Sequence, residues 1–151
     1  MALVGKLEAE VDVKVPADKL LCIIRSENHR IPEAASNHIH TIEVHEGDWE
    51  THGSIKLWTY TIDGKVEIFK EKLVVDEANK RITMEALEGH VLEELKSYKM
   101  TYQVLPKTDE SCMAKITVDY EKLNENVPEP NKYLQFVVNV TKDIESHLLK
   151  A

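Results

Sequence analysis

The side chains of this chain that could do chemistry are the imidazoles of five of its seven histidines, which lie on or near strand-like segments and turns, two lysines set among apolar residues, and five tyrosines. His38 and His40 share one face of a strand-like segment, while His45, His52 and His90 fall near turns. Imidazoles bind zinc, but no Asp, Glu or Cys completes a recognised ligand spacing here, and solvated strand-end histidines account for the pattern. No metal and no other cofactor is expected. The motifs GxSxG, GxxxxGK[ST] and GxGxxG are absent, and no serine has a local His or acid, so nucleophilic catalysis and nucleotide binding lack support. Lys56 and Lys70 remain. A lysine inside an apolar lining has a shifted pKa and can move protons, yet nothing in the spacing of these two demands it, and no catalytic residue is assigned.

Positioning such groups takes regular elements, and two periodicities supply them. Leu7, Ala9, Val11, Val13 and Val15 alternate with Lys6, Glu8, Glu10, Asp12 and Lys14, which predicts a strand with one buried and one wet face. Pro16 ends it. Ala17 to Arg25 reads as a short helix, with Pro16 and Asp18 suited to its first turn, and a second helical turn follows near His29 to Ser36. Period two then returns over 39–44, 54–62, 65–75, 81–87, 94–105 and 113–123. Asp63-Gly64 is the strongest hairpin signal, and the other connectors are short as well, so neighbouring strands are antiparallel and the first strand joins at an edge. Pro130 opens a segment to Lys150 in which Tyr133, Val137, Val140, Ile144 and Leu148 recur at helical spacing, with Leu134, Phe136 and Val138 widening the stripe. About 20 residues at ~1.5 Å each make a rod of roughly 30 Å.

The expected fold class is therefore α+β: a strongly curved, seven-stranded antiparallel sheet around a long carboxy-terminal helix, with two short helices after the first strand. The more apolar face of each strand is taken as the inner one. It carries Trp58, Tyr60 and Ile62; Val66 and Ile68; Ile82, Met84 and Ala86; Tyr98, Met100, Tyr102 and Val104; and Ala114, Ile116, Val118 and Tyr120. Phe69 and Leu73 lie on the other parity of 65–75, and a bulge could reconcile them. All five tyrosines, counting Tyr133, fall on inward positions. A dry core prefers Leu, Val and Phe, since a buried phenol without a partner costs about 1–3 kcal/mol. The alternatives are an ordinary core whose tyrosines reach the rim, or the lining of an apolar, partly wet pocket. In the second case Trp58, Ile68, Met84, Met100 and Ile116, with Tyr133, Val137, Val140 and Ile144 on the helix, would bury a ligand. Its polar end would be oriented by Tyr60, Tyr98, Tyr102 and Tyr120, with Lys56 or Lys70 if these point inward rather than snorkel to water.

Composition narrows the partners. The chain has 151 residues, one domain over 1–151, and a net charge of −8 from 19 Lys+Arg against 27 Asp+Glu. No basic run breaks that balance, so nucleic acid is not an expected partner. Apolar stretches fall far short of the ~20 residues that insertion into a membrane needs. The amino terminus lacks a signal-peptide pattern and has Ala2 where myristoylation needs glycine. Cys22 and Cys112 form no CxxC and read as two buried thiols in a reducing compartment, so a cytoplasmic location is expected and the sequon Asn139-Val-Thr141 is a chance match; the chain is separately expected to be a monomer. The loop Glu46-Gly-Asp-Trp-Glu-Thr-His-Gly53 reads as a strand connector or as a mobile lip carrying an exposed Trp49.

Several stretches, taken in order, are familiar. Glu46-Gly-Asp-Trp49, His52-Gly-Ser-Ile-Lys56, Trp58, Asp63-Gly-Lys65, Glu88-Gly89, Asp119-Tyr-Glu-Lys122, Asn124-Glu and the Pro128/Pro130 pair before Tyr133-Leu134 resemble the major latex protein family, a branch of the birch pollen major allergen superfamily of plants. The resemblance covers nearly the whole chain. It implies the START-like helix-grip fold with a large internal cavity, cytoplasmic carriage of lipophilic molecules such as steroids, fatty acids, flavonoid-like or hormone-like compounds, and roles in stress and defence. The acidic loop Glu46 to Gly53 departs from the Gly-rich loop of the pathogenesis-related branch, which puts a ribonuclease activity in doubt. The gate and latch sequences of abscisic acid receptors are absent too. Some relatives are synthases or isomerases, so the alternatives to a carrier are a cavity enzyme working by acid–base chemistry and a receptor-like protein that presents the Trp49 loop to a partner.

Overall fold

The structure is a computed structural model that describes residues 3–150. Met1 and Ala2, where the absent myristoylation glycine is noted, lie outside the described residues, as does Ala151.

Strand β1 (Val4–Val13) leads through Pro16 into helix α1 (Ala17–Arg25), a single 3-10 turn at Asn28–Arg30 and the four-residue α2 (Ile31–Ala34). Six strands follow: β2 (Ile39–Glu46), β3 (Ile55–Ile62), β4 (Lys65–Asp76), β5 (Arg81–Gly89), β6 (Leu95–Thr108) and β7 (Ser111–Lys122). Helix α3 (Asn131–Lys150) closes the chain. The strands form one antiparallel sheet in the order β1-β7-β6-β5-β4-β3-β2, a meander with β1 paired to β7. Between β5 and β6 the chain makes a short 3-10 turn, His90–Glu93, where the sequence reads as a simple connector. Its Val91 is buried, and so supplies apolar surface that a plain hairpin would lack.

Register follows from the turns. Asp63 and Gly64 both have positive φ, the conformation of a two-residue hairpin turn, so Ile62 pairs with Lys65 and the ladder runs on as Tyr60 with Glu67, Trp58 with Phe69 and Lys56 with Glu71. Directly paired residues share a face of the sheet. Since Lys56, Trp58, Tyr60 and Ile62 are the buried residues of β3, the inner residues of β4 are Glu67, Phe69, Glu71 and Leu73. This reverses the face expected from hydrophobicity. Val66 is 64% exposed and Ile68 40% exposed, so both point to solvent and Ile68 cannot touch an internal ligand. Lys70 shares their outward face and pairs with Glu88 at 3.7 Å. The bulge considered for this strand does exist, but against β5 at Lys70/Glu71, and it does not change the β3–β4 pairing.

Helix α3 touches β1 and β7. Its far end is tied down by polar contacts: the Lys14 backbone N–H donates to Glu145 Oε2 at 2.6 Å, and Lys142 Nζ donates to the Asp12 carbonyl at 2.9 Å. Beneath the helix β7 presents Ala114, Ile116 and Val118, opposite Val11, Ala9 and Leu7 of β1. The helix therefore leans on one half of the sheet, and the space between it and β3–β6 is left for other contents.

Candidate ligand-binding site

That space is a cavity of about 90 Å3, counting only the volume open to water centres. One water needs about 10–15 Å3 by this measure, so the void holds several. Its wall is almost wholly apolar. Trp58 and Tyr60 come from β3, Phe69 from β4, Met84 from β5, and Tyr98, Met100 and Tyr102 from β6. Helix α3 supplies Tyr133, Phe136, Val137, Val140, Thr141 and Ile144 at its inner face. Ile24 of α1, Ile31 of α2 and Ile39 of β2 complete the wall beside the short helices, and Val91 adds to it from the β5–β6 turn.

Ten of the fifteen expected site residues lie on this wall: Trp58, Tyr60, Met84, Tyr98, Met100, Tyr102, Tyr133, Val137, Val140 and Ile144. Five do not. Ile68 and Lys70 point outward, as described. Ile116 and Tyr120 are buried, but β7 lies under α3 rather than across the void, so they pack the solid half of the core. Lys56 is fully buried and points inward, yet it is engaged beside the void rather than on its wall. Cys112 is buried as expected, whereas Cys22 is exposed on the outer face of α1. Trp49, read from the sequence as exposed, is half-buried, its ring set edge-on to His29 at 5.2 Å between centroids.

Two carboxylates that hydrophobicity had placed outside organise the polar groups. Glu67 Oε1 accepts from the Tyr133 hydroxyl at 2.8 Å and from the Tyr60 hydroxyl at 3.2 Å. Burial and the neighbouring Glu67 push the pKa of Tyr60 well above the ordinary phenol range. Tyr133 moves the same way, for burial first and for its bond to Glu67 second. On the β6 side Tyr102 sits 2.9 Å from Thr141 Oγ1. Thr141 itself donates to the Val137 carbonyl at 2.9 Å, so its single proton is used and Tyr102 must be the donor. Burial raises Tyr102 as well, and it alone raises Tyr98.

The second carboxylate, Glu71, is completely buried. Its Oε1 accepts from Trp58 Nε1 at 2.7 Å and lies 3.8 Å from Lys56 Nζ, while Oε2 has no partner. Lys56 also donates to Asn28 Oδ1 and to the Trp49 carbonyl at 3.4 Å. Asn28 in turn donates from Nδ2 to the carbonyls of Ile23 and Ile24, satisfying the end of α1. Burial pushes Lys56 below the usual lysine range, opposed by Glu71, and pushes Glu71 above the usual carboxylate range, opposed by Lys56. This chain of bonds joins α1, β3, β4 and the Trp49 loop behind Trp58.

The histidines are held elsewhere. His52 and His90 accept backbone N–H bonds at Nδ1 from Val75 and Ile68, at 3.1 and 3.0 Å, and His40 Nε2 lies 2.6 Å from Thr61 Oγ1. Among the described residues no group of three or more His, Cys, Asp or Glu is placed to hold a metal ion, and no helix is long and apolar enough to cross a membrane.

A curved seven-stranded antiparallel sheet gripping a long terminal helix, with short helices at one end and an apolar void between, defines a helix-grip protein with a ligand-binding fold. The model of the Pathogenesis-related protein Bet v 1 family matches residues 2–151. MLP-like protein 328 of Arabidopsis thaliana is 43% identical over 151 residues, covering 100% of both chains. The crystal structure of major latex-like protein 151 from Panax ginseng superposes with a TM-score of 0.92 at 37% identity, covering 97% of this chain and 98% of that one. The chain belongs to the Bet v 1 family, among its major latex protein-like members. Norcoclaurine synthase from Thalictrum flavum, solved with dopamine and hydroxybenzaldehyde, has the same fold at 20% identity, covering 97% of this chain and 87% of its own, with a TM-score of 0.79.

Proposed function

We propose that this protein binds and carries a lipophilic small molecule in the cavity between α3 and β3–β6, and that it does so without catalysing a reaction. The observation that carries the reading is the void itself, walled by apolar side chains from the strands, the short helices and α3. Burying a ligand there gains roughly 25 cal/mol per Å2 of apolar surface removed from water, with few polar groups to desolvate. Carriage rather than proton transfer is supported by the two lysines considered for acid–base work. Lys70 faces solvent beside Glu88, and Lys56 is tied to Asn28 and Glu71 off the cavity wall. The acidic charge, the free cysteines and the absence of a spanning helix among the described residues are consistent with a monomer in the cytoplasm. A link to stress or defence accords with the pathogenesis-related proteins for which the family is described.

The test is titration with Nile red, an uncharged lipophilic dye whose emission rises in apolar surroundings, against the native chain and a Val137→Trp variant that fills the void from α3. Saturable binding of one dye per chain, weakened at least tenfold in the variant, is the expected result. Absent binding, or equal binding by both chains, overturns the reading.

A further inference from the structure

The cavity has phenols, an indole N–H and a threonine hydroxyl, but nearly all of their protons are used within the protein. The Tyr60 and Tyr133 hydroxyls both donate to Glu67. Tyr102 donates to Thr141, and Thr141 donates to the Val137 carbonyl. Trp58 Nε1–H donates to Glu71. A hydroxyl whose proton is committed still has lone pairs, so toward a ligand the oxygens of Tyr60, Tyr133, Tyr102 and Thr141 can act as acceptors only. Of the four tyrosines on the cavity wall, Tyr98 alone has no hydrogen-bond partner among the described residues and keeps a phenolic proton that a ligand could take. The buried ammonium of Lys56 does not correct this, being held by Asn28 and Glu71 away from the wall.

From this donor census we infer that the cavity selects lipophilic molecules whose polar end donates hydrogen bonds, ammonium above all and hydroxyl next, and rejects lipophilic carboxylates. The inference rests on the carrier reading above. A donor entering between Tyr60 and Tyr133 meets two phenol oxygens made more basic by their bonds to one buried carboxylate, since successive hydrogen bonds polarise one another. A cation gains the Glu67 charge in addition, through a medium that screens it poorly. An entering carboxylate finds the single Tyr98 proton, must shed its water, and faces the like charge of Glu67, 94% buried directly opposite Tyr60 on the β3–β4 ladder. Fatty acids, although lipophilic enough for the wall, are thus excluded by their head group.

Three probes with one tail isolate the head group: decylammonium, 1-decanol and decanoate, each displacing Nile red at pH 7 below micelle-forming concentration. The net charge of −8 acts on any anion, so the comparison is repeated on Glu67→Gln, which removes one distant unit of net charge but the whole local one. It is repeated again on Tyr133→Phe, which removes an acceptor and leaves the net charge unchanged. The native chain should hold decylammonium at least tenfold and decanol at least threefold more tightly than decanoate. Glu67→Gln should bring the ammonium-to-decanoate ratio below threefold, and Tyr133→Phe should weaken decanol at least threefold with decanoate unmoved. Decanoate binding as tightly as decanol to the native chain overturns the inference, as does an ammonium preference that survives both variants. Should the dye itself not bind, the carrier reading falls and takes this one with it, whereas failure of all three probes to displace bound dye, or equal displacement by all three, leaves carriage standing and removes only the selectivity. Circular dichroism and melting of each variant separate loss of binding from loss of fold, and the decanol arm on Tyr133→Phe holds even if Glu67→Gln misfolds.

Discussion

Lys56 and Glu71 face one another across the β3–β4 ladder with no solvent exposure, their Nζ and Oε1 atoms 3.8 Å apart. Two charges taken from water are costly unless every partner is present, and removing one leaves the other stranded. Here the partners are shared: Trp58 donates to the same Glu71 oxygen, and Asn28 joins Lys56 to the end of α1. Lys56→Met should therefore cost about 3–5 kcal/mol in urea unfolding. The double variant Lys56→Met/Glu71→Gln keeps an acceptor for Trp58 and removes both charges, so its cost should fall below the sum of the single changes by at least ~1 kcal/mol. Additive costs would show that the two side chains act independently.

Adjacent residues of β4 offer a test of which face is inside. Ile68 is 40% exposed, while Phe69 lines the cavity and meets Tyr98 edge-on at 5.8 Å. Ile68→Ser should stay within about 0.5 kcal/mol of the native chain and bind Nile red unchanged. Phe69→Ala should lose about 2–3 kcal/mol, less than a fully buried ring would, and should alter dye binding by enlarging the void. The opposite pattern would put β4 in the register that its hydrophobicity suggests.

That strand shows where the sequence was readable and where it was not. Element order, the edge position of β1, α1 from Ala17 to Arg25 and the inner residues of β3, β5 and β6 all follow from period and turns. Face assignment by apolar count failed only where the inner face is itself charged: Glu67 and Glu71 against Val66 and Ile68. The turn held the answer, because a two-residue Asp63-Gly64 loop pairs 62 with 65 and so must set Tyr60 against Glu67. Hydrogen-bonded carboxylates inside a sheet look like surface residues until their partners are known. The places of Ile116 and Tyr120 were not legible for another reason, since no pattern within a strand reports which half of the sheet a distant helix covers.

Tyr120 is held in that solid half by a glycine. A Cβ on Gly5, its directly paired neighbour on β1, would lie 2.3 Å from the Tyr120 hydroxyl and 2.5 Å from its ring. The ring lies over the bare backbone of Gly5, which explains an unbranched residue inside an otherwise alternating strand. Gly5→Ala should destabilise by about 1–3 kcal/mol as the ring is displaced. In a Tyr120→Leu background the same change should cost under ~0.5 kcal/mol. Equal cost in both backgrounds would assign the effect to the β1 backbone instead.

The raised phenols predict how the protein fails in alkali. Burial holds Tyr60, Tyr98 and Tyr102 protonated in the folded chain above the range where an unfolded phenol, near pH 10, ionises. Since the folded pKa values are the higher ones, the stability they contribute is fully present below pH 10 and is lost as pH rises beyond it. Each such phenol lowers unfolding free energy by about 1.4 kcal/mol per pH unit above that point, so the three together give a slope near 4 kcal/mol per unit. Phenolate absorbance at 295 nm, followed alongside far-ultraviolet circular dichroism, should show these tyrosines ionising in one steep step that coincides with unfolding. Gradual ionisation of all five tyrosines around pH 10, in a chain that keeps its strand signal, would mean that the cavity phenols are in free exchange with water and that their protons are not committed to Glu67 and Thr141.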